Sequence, residues 1–210
     1  RCDSSAVTLV DGTYTDAARE DMYLFVEHKD HGLKMMGNYT FPSLTQTYMA
    51  PGGQTAFEDE DGKLYLVYHQ RFAKTGEFHE PRVHQLFRTK DGWLVAAPFA
   101  TDGETLKEDG YSEDEIKGTF YLVNHGTDIS DKVHKPQRIQ LNADRTVTGE
   151  ELEGTWEEEE GTPYIDVTLG ENAYTGVVLE MTDEAGNDTM CFSAKGDNNE
   201  TIWGVKYLLP

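Results

Sequence analysis

Residues 55–97 read TAFEDEDGKLYLVYHQRFAKTGEFHEPRVHQLFRTKDGWLVAA. Four short runs suit strands: Thr55–Glu58, Leu64–Gln70, Arg82–Arg88 and Trp93–Ala97. Between them lie DEDGK, FAKTGEFHEP and TKDG, each rich in the Gly, Asp, Lys and Pro that reverse a chain. The pattern predicts four consecutive antiparallel strands within about 45 residues, the size of one β-propeller blade. A single blade cannot bury both faces, so the pattern also implies neighbouring structure.

The rest of the chain follows the same logic. Ile116–Val123, Arg138–Leu141, Tyr164–Leu169, Gly176–Met181, Thr189–Ala194 and Thr201–Tyr207 alternate or run apolar, with Asp-Gly or Asn-containing turns between them. Helical periodicity is limited to Asp16–Met22 and to Ser112–Ile116, the latter with Ser112 as N-cap. The fold class is therefore all-β. Near residue 102 the composition changes, and TDGETLKEDGYSEDE has the acidic, Gly-punctuated look of a linker. We place a boundary between about residues 101 and 115, dividing the chain into 1–105 and 106–210. The evenly spaced strands of the second part suit a sandwich or closed barrel.

Charge and length bound the function. The 210 residues carry 39 Asp and Glu against 18 Lys and Arg, a net charge of -21. Such a surface repels nucleic acid and anionic membrane and favours a neutral or cationic partner. No apolar run approaches the roughly 20 residues of a membrane span. The opening RCDSSAVTLVDG has neither an initiator Met nor a signal peptide, which reads as a mature or truncated product and leaves location open. Cys2 and Cys191 make neither a disulfide framework nor a zinc site, and Cys191, within MCFSA, suits a small core residue.

Several residues invite chemistry. EDEDGK resembles a calcium loop, but an EF-hand would need acids where Phe57 and Tyr68 stand, so a tight hairpin turn is the better reading. His69, His79 and His84 form a conceivable metal trio. His84, among apolar neighbours on a strand, suits a hydrogen-bonded core group. His69 and Arg71, at a strand end, are better placed to bind. Glu77 and Glu80 have the residue types of a glycosidase acid–base pair. In so acidic a chain, a solvated loop with Glu80 holding Arg82 explains them more simply. Pro51-Gly52-Gly53-Gln54-Thr55 precedes the first blade strand and suits an ordinary turn, unless Gln54 points into a central cavity. Trp156, Tyr164, Tyr174, Trp203 and Tyr207 could stack on sugar, although aromatics on strands are usually core. The Asn-X-Thr triplets at Asn38, Asn187 and Asn199 carry no weight without a secretory host.

Taken together, GNYTF, YMAPGGQTAFEDEDGKLYLVYHQRF, HEPRVHQLF and DGWLVAAPF strongly resemble the last blade of the endo-α-1,5-L-arabinanases of glycoside hydrolase family 43. IKGTFYLVNHGTDIS and the strands through TIWGVKYL resemble the β-barrel that follows the propeller in extracellular members. RCDSS…VDGTYTDA resembles the end of the preceding blade, so nearly the whole chain is covered. The resemblance implies the terminal part of a five-bladed β-propeller followed by a barrel or sandwich domain. It implies an inverting glycosidase acting on arabinan or a related plant cell-wall polysaccharide outside the cell. The three carboxylates of that chemistry have no matching position here, so no catalytic residue is expected in this chain, and the chain alone is expected to be inactive. A role in shaping the substrate cleft is implied for His69 and Arg71, and Gln54, through the cavity-facing reading of its turn, completes the expected substrate-binding set. The family often has Gly-His-Asn-Ser where this chain has Gly52-Gly53-Gln54-Thr55, and that histidine helps to hold a calcium on the propeller axis. Gly53 cannot supply a side-chain ligand, which puts the structural calcium in doubt. Two other readings remain open: a non-catalytic carbohydrate-binding or accessory module, and a barrel that only braces its neighbour.

Overall fold

The computed structural model describes residues 32–76 and 78–207, together with the backbone of two strands at 7–10 and 13–16. In chain order these are β1 (Val7–Val10), β2 (Thr13–Asp16), β3 (Leu33–Met36), β4 (Tyr48–Glu58), β5 (Leu64–Phe72), β6 (Glu80–Arg88), β7 (Leu94–Ala96), α1 (Glu113–Ile116), β8 (Gly118–Asn124), β9 (Gln137–Leu141), β10 (Thr146–Gly149), β11 (Glu153–Glu158), β12 (Tyr164–Leu169), β13 (Asn172–Thr182), β14 (Asp188–Gly196) and β15 (Thr201–Lys206). The protein is all-β, as expected. Of the helix expected at Asp16–Met22, Asp16 instead ends β2, and the remainder lies outside the described residues.

The four blade-like strands form one antiparallel sheet in the order β4-β5-β6-β7. The turn after β4 is the expected tight hairpin. The Asp59 carboxylate accepts from the N–H groups of Asp61 (3.0 Å) and Lys63 (2.8 Å), and Gly62 takes a φ of 80° that a side chain would resist. One expectation needs correction. Pro51–Thr55 does not precede the strand as a turn but lies inside β4, which begins at Tyr48. The ladder to β5 absorbs this Pro-Gly-Gly segment by register shifts between Met49 and Gly52 and between Gly52 and Thr55.

Strands β8–β15 close an eight-stranded barrel, entered through α1. Ser112 caps α1 as expected: Glu115 reaches back to accept from both the Ser112 N–H and its hydroxyl, each at 2.7 Å. The barrel interior is filled. Phe120, Leu122, Ile139, Val147, Trp156, Val167, Tyr174, Phe192 and Ile202 pack into one buried cluster. Gly204 faces it, and a Cβ there would stand 2.0 Å from the Phe192 ring. The missing side chain is what makes room for that ring.

The outer wall of the barrel is buried too, on one side. Val123, Val177, Leu179, Met181, Cys191, Trp203 and Val205 share a second cluster with Met35, Met36, Tyr39, Leu66, Tyr68, Leu86 and Phe99 from β3, the sheet and their connections. Cys191 is thus the core residue expected, its thiol pushed up by burial. Trp203 is fully buried, edge-on to Tyr39 and His125 and stacked 6.0 Å from His84.

Polar pins flank this seam. The ammonium of Lys34, on β3, donates to the carbonyls of His125 (2.6 Å) and Asp128 (2.5 Å) in the loop after β8. Burial pulls its pKa down to about 8, against the pull of Asp128. Burial alone would raise Asp128, but hydrogen bonds from His134 and Ser130 and the Lys34 charge hold it well below the usual carboxylate range. Gly37 N–H donates to His125 Nδ1 (3.2 Å), and Asn38 Nδ2 donates to Ser130 O (3.2 Å). Asn38 is buried, so its Asn-X-Thr triplet is structural here. At the other end of the seam, Lys90 in the β6–β7 turn bonds Asp166 on β12, and Lys195 on β14 meets Asp91 at 2.7 Å.

Candidate functional site

Strand alternation puts Leu66, Tyr68 and Gln70 on the buried face of β5 and leaves His69 exposed on the other. His69 pairs across the ladders with Gly52 on β4 and Pro81 on β6, and Arg71 pairs with Met49. The structure brings a third residue to them. The His79 ring lies 4.8 Å from that of His69, edge to face, and Arg71 Nε donates to His79 Nε2 at 2.8 Å. That bond makes Nε2 the acceptor and places the proton of a neutral His79 on Nδ1. Gln54 is half-buried on β4, two residues beyond Gly52.

The sheet rim thus presents two imidazoles and a guanidinium, groups suited to hydrogen-bonding a polyhydroxylated ligand. From sequence alone His79 stands out only as part of a metal trio. Its loop position gave no period from which its neighbours could be read.

His84 is separate. It is fully buried, donates from Nδ1 to Ala97 O at 2.6 Å and accepts from the Tyr68 hydroxyl at 3.1 Å. Burial lowers its pKa to about 4, with the Arg82 charge adding to the effect. It is the hydrogen-bonded core group expected, and the three histidines do not converge. Glu80 holds Arg82 at 3.1 Å, as the simpler reading had it, while Glu77 lies outside the described residues.

Calcium takes six to eight oxygen ligands, including carboxylates. The described residues do not by themselves make such a cage. Gly53 brings no side chain, and the His69 ring fills the space beside it, with Nδ1 2.7 Å from where a Cβ would stand. No group of three or more His, Cys, Asp or Glu side chains among the described residues is arranged to hold a metal.

Of the aromatics considered for sugar stacking, Trp156, Tyr174 and Trp203 are buried, as aromatics on strands usually are, and Tyr164 and Tyr207 are half-buried. Among the described residues, no helix is long and apolar enough to cross a membrane.

Known proteins are similar to this chain in sequence and in fold. The GH43_C family, a C-terminal lipocalin-like domain, matches residues 98–204. The extracellular endo-α-(1→5)-L-arabinanase 2 of Bacillus subtilis (strain 168) is 43% identical over 181 residues, covering 84% of this chain and 38% of the relative. The extracellular endo-α-(1→5)-L-arabinanase of Thermotoga petrophila is 35% identical over 187 residues, covering 84% of this chain and 39% of the relative. A solved structure of the glycoside hydrolase family 43 YxiA protein from Bacillus licheniformis matches with a TM-score of 0.80 at 35% identity, over 96% of this chain and 43% of that one. The endo-1,5-α-L-arabinanase structure from Thermotoga petrophila matches with a TM-score of 0.78 at 35% identity, over 86% and 42%. The chain spans about two fifths of the length of these relatives. Barrel, sheet and relatives agree, and the chain belongs to the GH43_C family, within the arabinanase-related glycoside hydrolases of family 43.

Proposed function

We propose that this chain is the C-terminal portion of a secreted glycoside hydrolase that cleaves α-1,5-L-arabinan with inversion, its catalytic carboxylates lying on residues outside this chain. In this reading the β4–β7 sheet is the closing blade of a propeller within the unit 1–105. His69, Arg71, Gln54 and His79 line part of the substrate cleft, and the barrel within 106–210 braces the blade. The observation that carries it is the shared core. The barrel spends one outer wall on the sheet and fills its own interior, which is the construction of a support and not of a ligand carrier. Arabinan is largely neutral, and a surface of charge -21 does not repel it.

The test is reducing-sugar release from debranched arabinan by the 210-residue chain. The expected result is none; clear turnover would refute this and promote Glu77 and Glu80 as the acid–base pair. In the same reading a neighbouring blade covers the outer sheet face, where Phe57 and Tyr65 stack at 5.2 Å with Phe57 47% exposed. Self-association of the isolated chain is the expected outcome in sedimentation, and a stable monomer counts against the blade.

The competing reading, a carbohydrate-binding module, is disfavoured by the burial of Trp156, Tyr174 and Trp203. Arabinan binding by residues 110–210 alone, lost when Tyr207 is changed to Ala, would restore it.

A further inference from the structure

We propose that Glu184 of the barrel is a positioning residue for the sheet rim. It holds, through Tyr48 and Arg82, the start of β6 where His79 meets Arg71. The proposal rests on the reading that this rim faces substrate, and extends it by naming the barrel group that sets rim geometry.

Glu184 sits in the β13–β14 turn, and the backbone of that turn is fixed. The Asp183 carboxylate accepts from the N–H groups of Ala185 (2.9 Å) and Asn187 (2.8 Å), and Gly186 takes a φ of 82°. From this turn Glu184 reaches the sheet and accepts a hydrogen bond from the Tyr48 hydroxyl. Tyr48 is 1% exposed, and the same hydroxyl accepts from Arg82 Nε at 3.0 Å. The phenol thus gives its one proton to Glu184 and a lone pair to Arg82. Burial raises Tyr48 to about 12, and the Glu184 carboxylate adds to the effect, so the donor stays protonated.

Arg82, half-buried, has several further partners. Its guanidinium lies 5.0 Å over the Phe72 ring and 5.6 Å over Tyr48. Its Nη1 donates to Glu80 Oε2 at 3.1 Å and to Pro81 O at 3.0 Å. Glu80 and Pro81 open β6, pair with Gln70 and His69, and directly follow His79. A chain of direct contacts therefore runs from the barrel turn to the start of β6, one peptide bond from the His79 that meets Arg71. Lys90, which also ties the sheet to the barrel, joins the far end of the seam and touches none of these groups.

The experiment is NMR of the whole 210-residue chain, with labelled histidine rings and arginine side chains. The variants are Glu184→Gln, Glu184→Asp and Tyr48→Phe, with Lys90→Ala as a control that breaks a barrel contact elsewhere. Expected are a shifted His79 ring and lost exchange protection of the Arg71 Nε–H in Glu184→Gln and Tyr48→Phe. Glu184→Asp should restore part of both, and Lys90→Ala should change neither. The alkaline transition of Tyr48 should also move down in Glu184→Gln. Unchanged His79 and Arg71 signals in Glu184→Gln and Tyr48→Phe, or the same change in Lys90→Ala, would overturn the proposal. Arabinotriose titration of the wild type and Arg71→Ala reads the substrate role separately. A rim that ignores the sugar sinks that reading while the contact chain stands, and a sugar response without the NMR changes does the reverse.

Discussion

The two halves of the barrel wall make different uses of one architecture. On β9–β12 the strands alternate cleanly. Ile139, Leu141, Val147, Trp156, Ile165 and Val167 point inward, and Arg138, Thr148, Glu153, Thr155 and Glu157 meet solvent. On β13–β15 the alternation collapses into GVVLEM, MCFSA and TIWGV, because the outward residues are buried against the sheet as thoroughly as the inward ones. Charge follows the same division. Residues 102–210 hold 25 acidic against 8 basic side chains, and β13–β15 spend few of them on the docked wall. A strand reading as apolar on both faces therefore marks where this barrel ceases to be an independent object.

Substitutions and acid can break that contrast. The largest effect is expected from Trp203→Ala on the docked wall, which opens a cavity shared by barrel and sheet. It should cost about 3–5 kcal/mol in denaturant unfolding. Next comes acid. His84 is buried with its pKa lowered to about 4, so between pH 6.5 and 4 the unfolded state binds a proton that the native state refuses. Stability therefore falls as pH falls through that window, by about 3 kcal/mol from this group, and His125, lowered by burial and by the charges of His134 and Lys34, pulls the same way. Urea midpoints at pH 7 and pH 4 check the sign, and His84→Gln should flatten the dependence. Lys34→Met leaves the buried His125 carbonyl and the part-buried Asp128 carbonyl without their shared donor and should cost about 1–3 kcal/mol. Glu157→Gln on the solvated wall should stay within about 0.5 kcal/mol. Equal costs for Trp203→Ala and Glu157→Gln would erase the distinction between the walls.

The same division explains what could be read from sequence. β12 is legible to the residue, as Tyr164–Leu169, because one face is wet and the other dry. The Asp-Gly hairpins around Gly62 and Gly92 are legible because their turns demand positive φ. β10 and β11 are not legible, since Thr146–Gly149 and Glu153–Glu158 offer only Val147 and Trp156 to the interior amid Gly, Thr and Glu. The first half of β4 was hidden by Pro51-Gly52-Gly53, a turn signal absorbed here by ladder irregularities. The Lys34 pins and the Glu184–Tyr48 contact join residues 91 to 136 positions apart, and no local pattern announces them. At the rim, strand ends pointed to His69 and Arg71, but His79 arrives from a loop.

One glycine limits how this rim can be altered. The His69 ring occupies the volume into which any side chain at Gly53 would grow, and Gly53 holds a φ of 59° that further penalises a larger residue. Installing a histidine at position 53 would set two imidazoles competing for one volume. Gly53→His should therefore cost stability unless the exposed His69 ring turns aside or is made smaller. Whether a metal ligand can be built at this position thus depends on where the neighbouring imidazole can go.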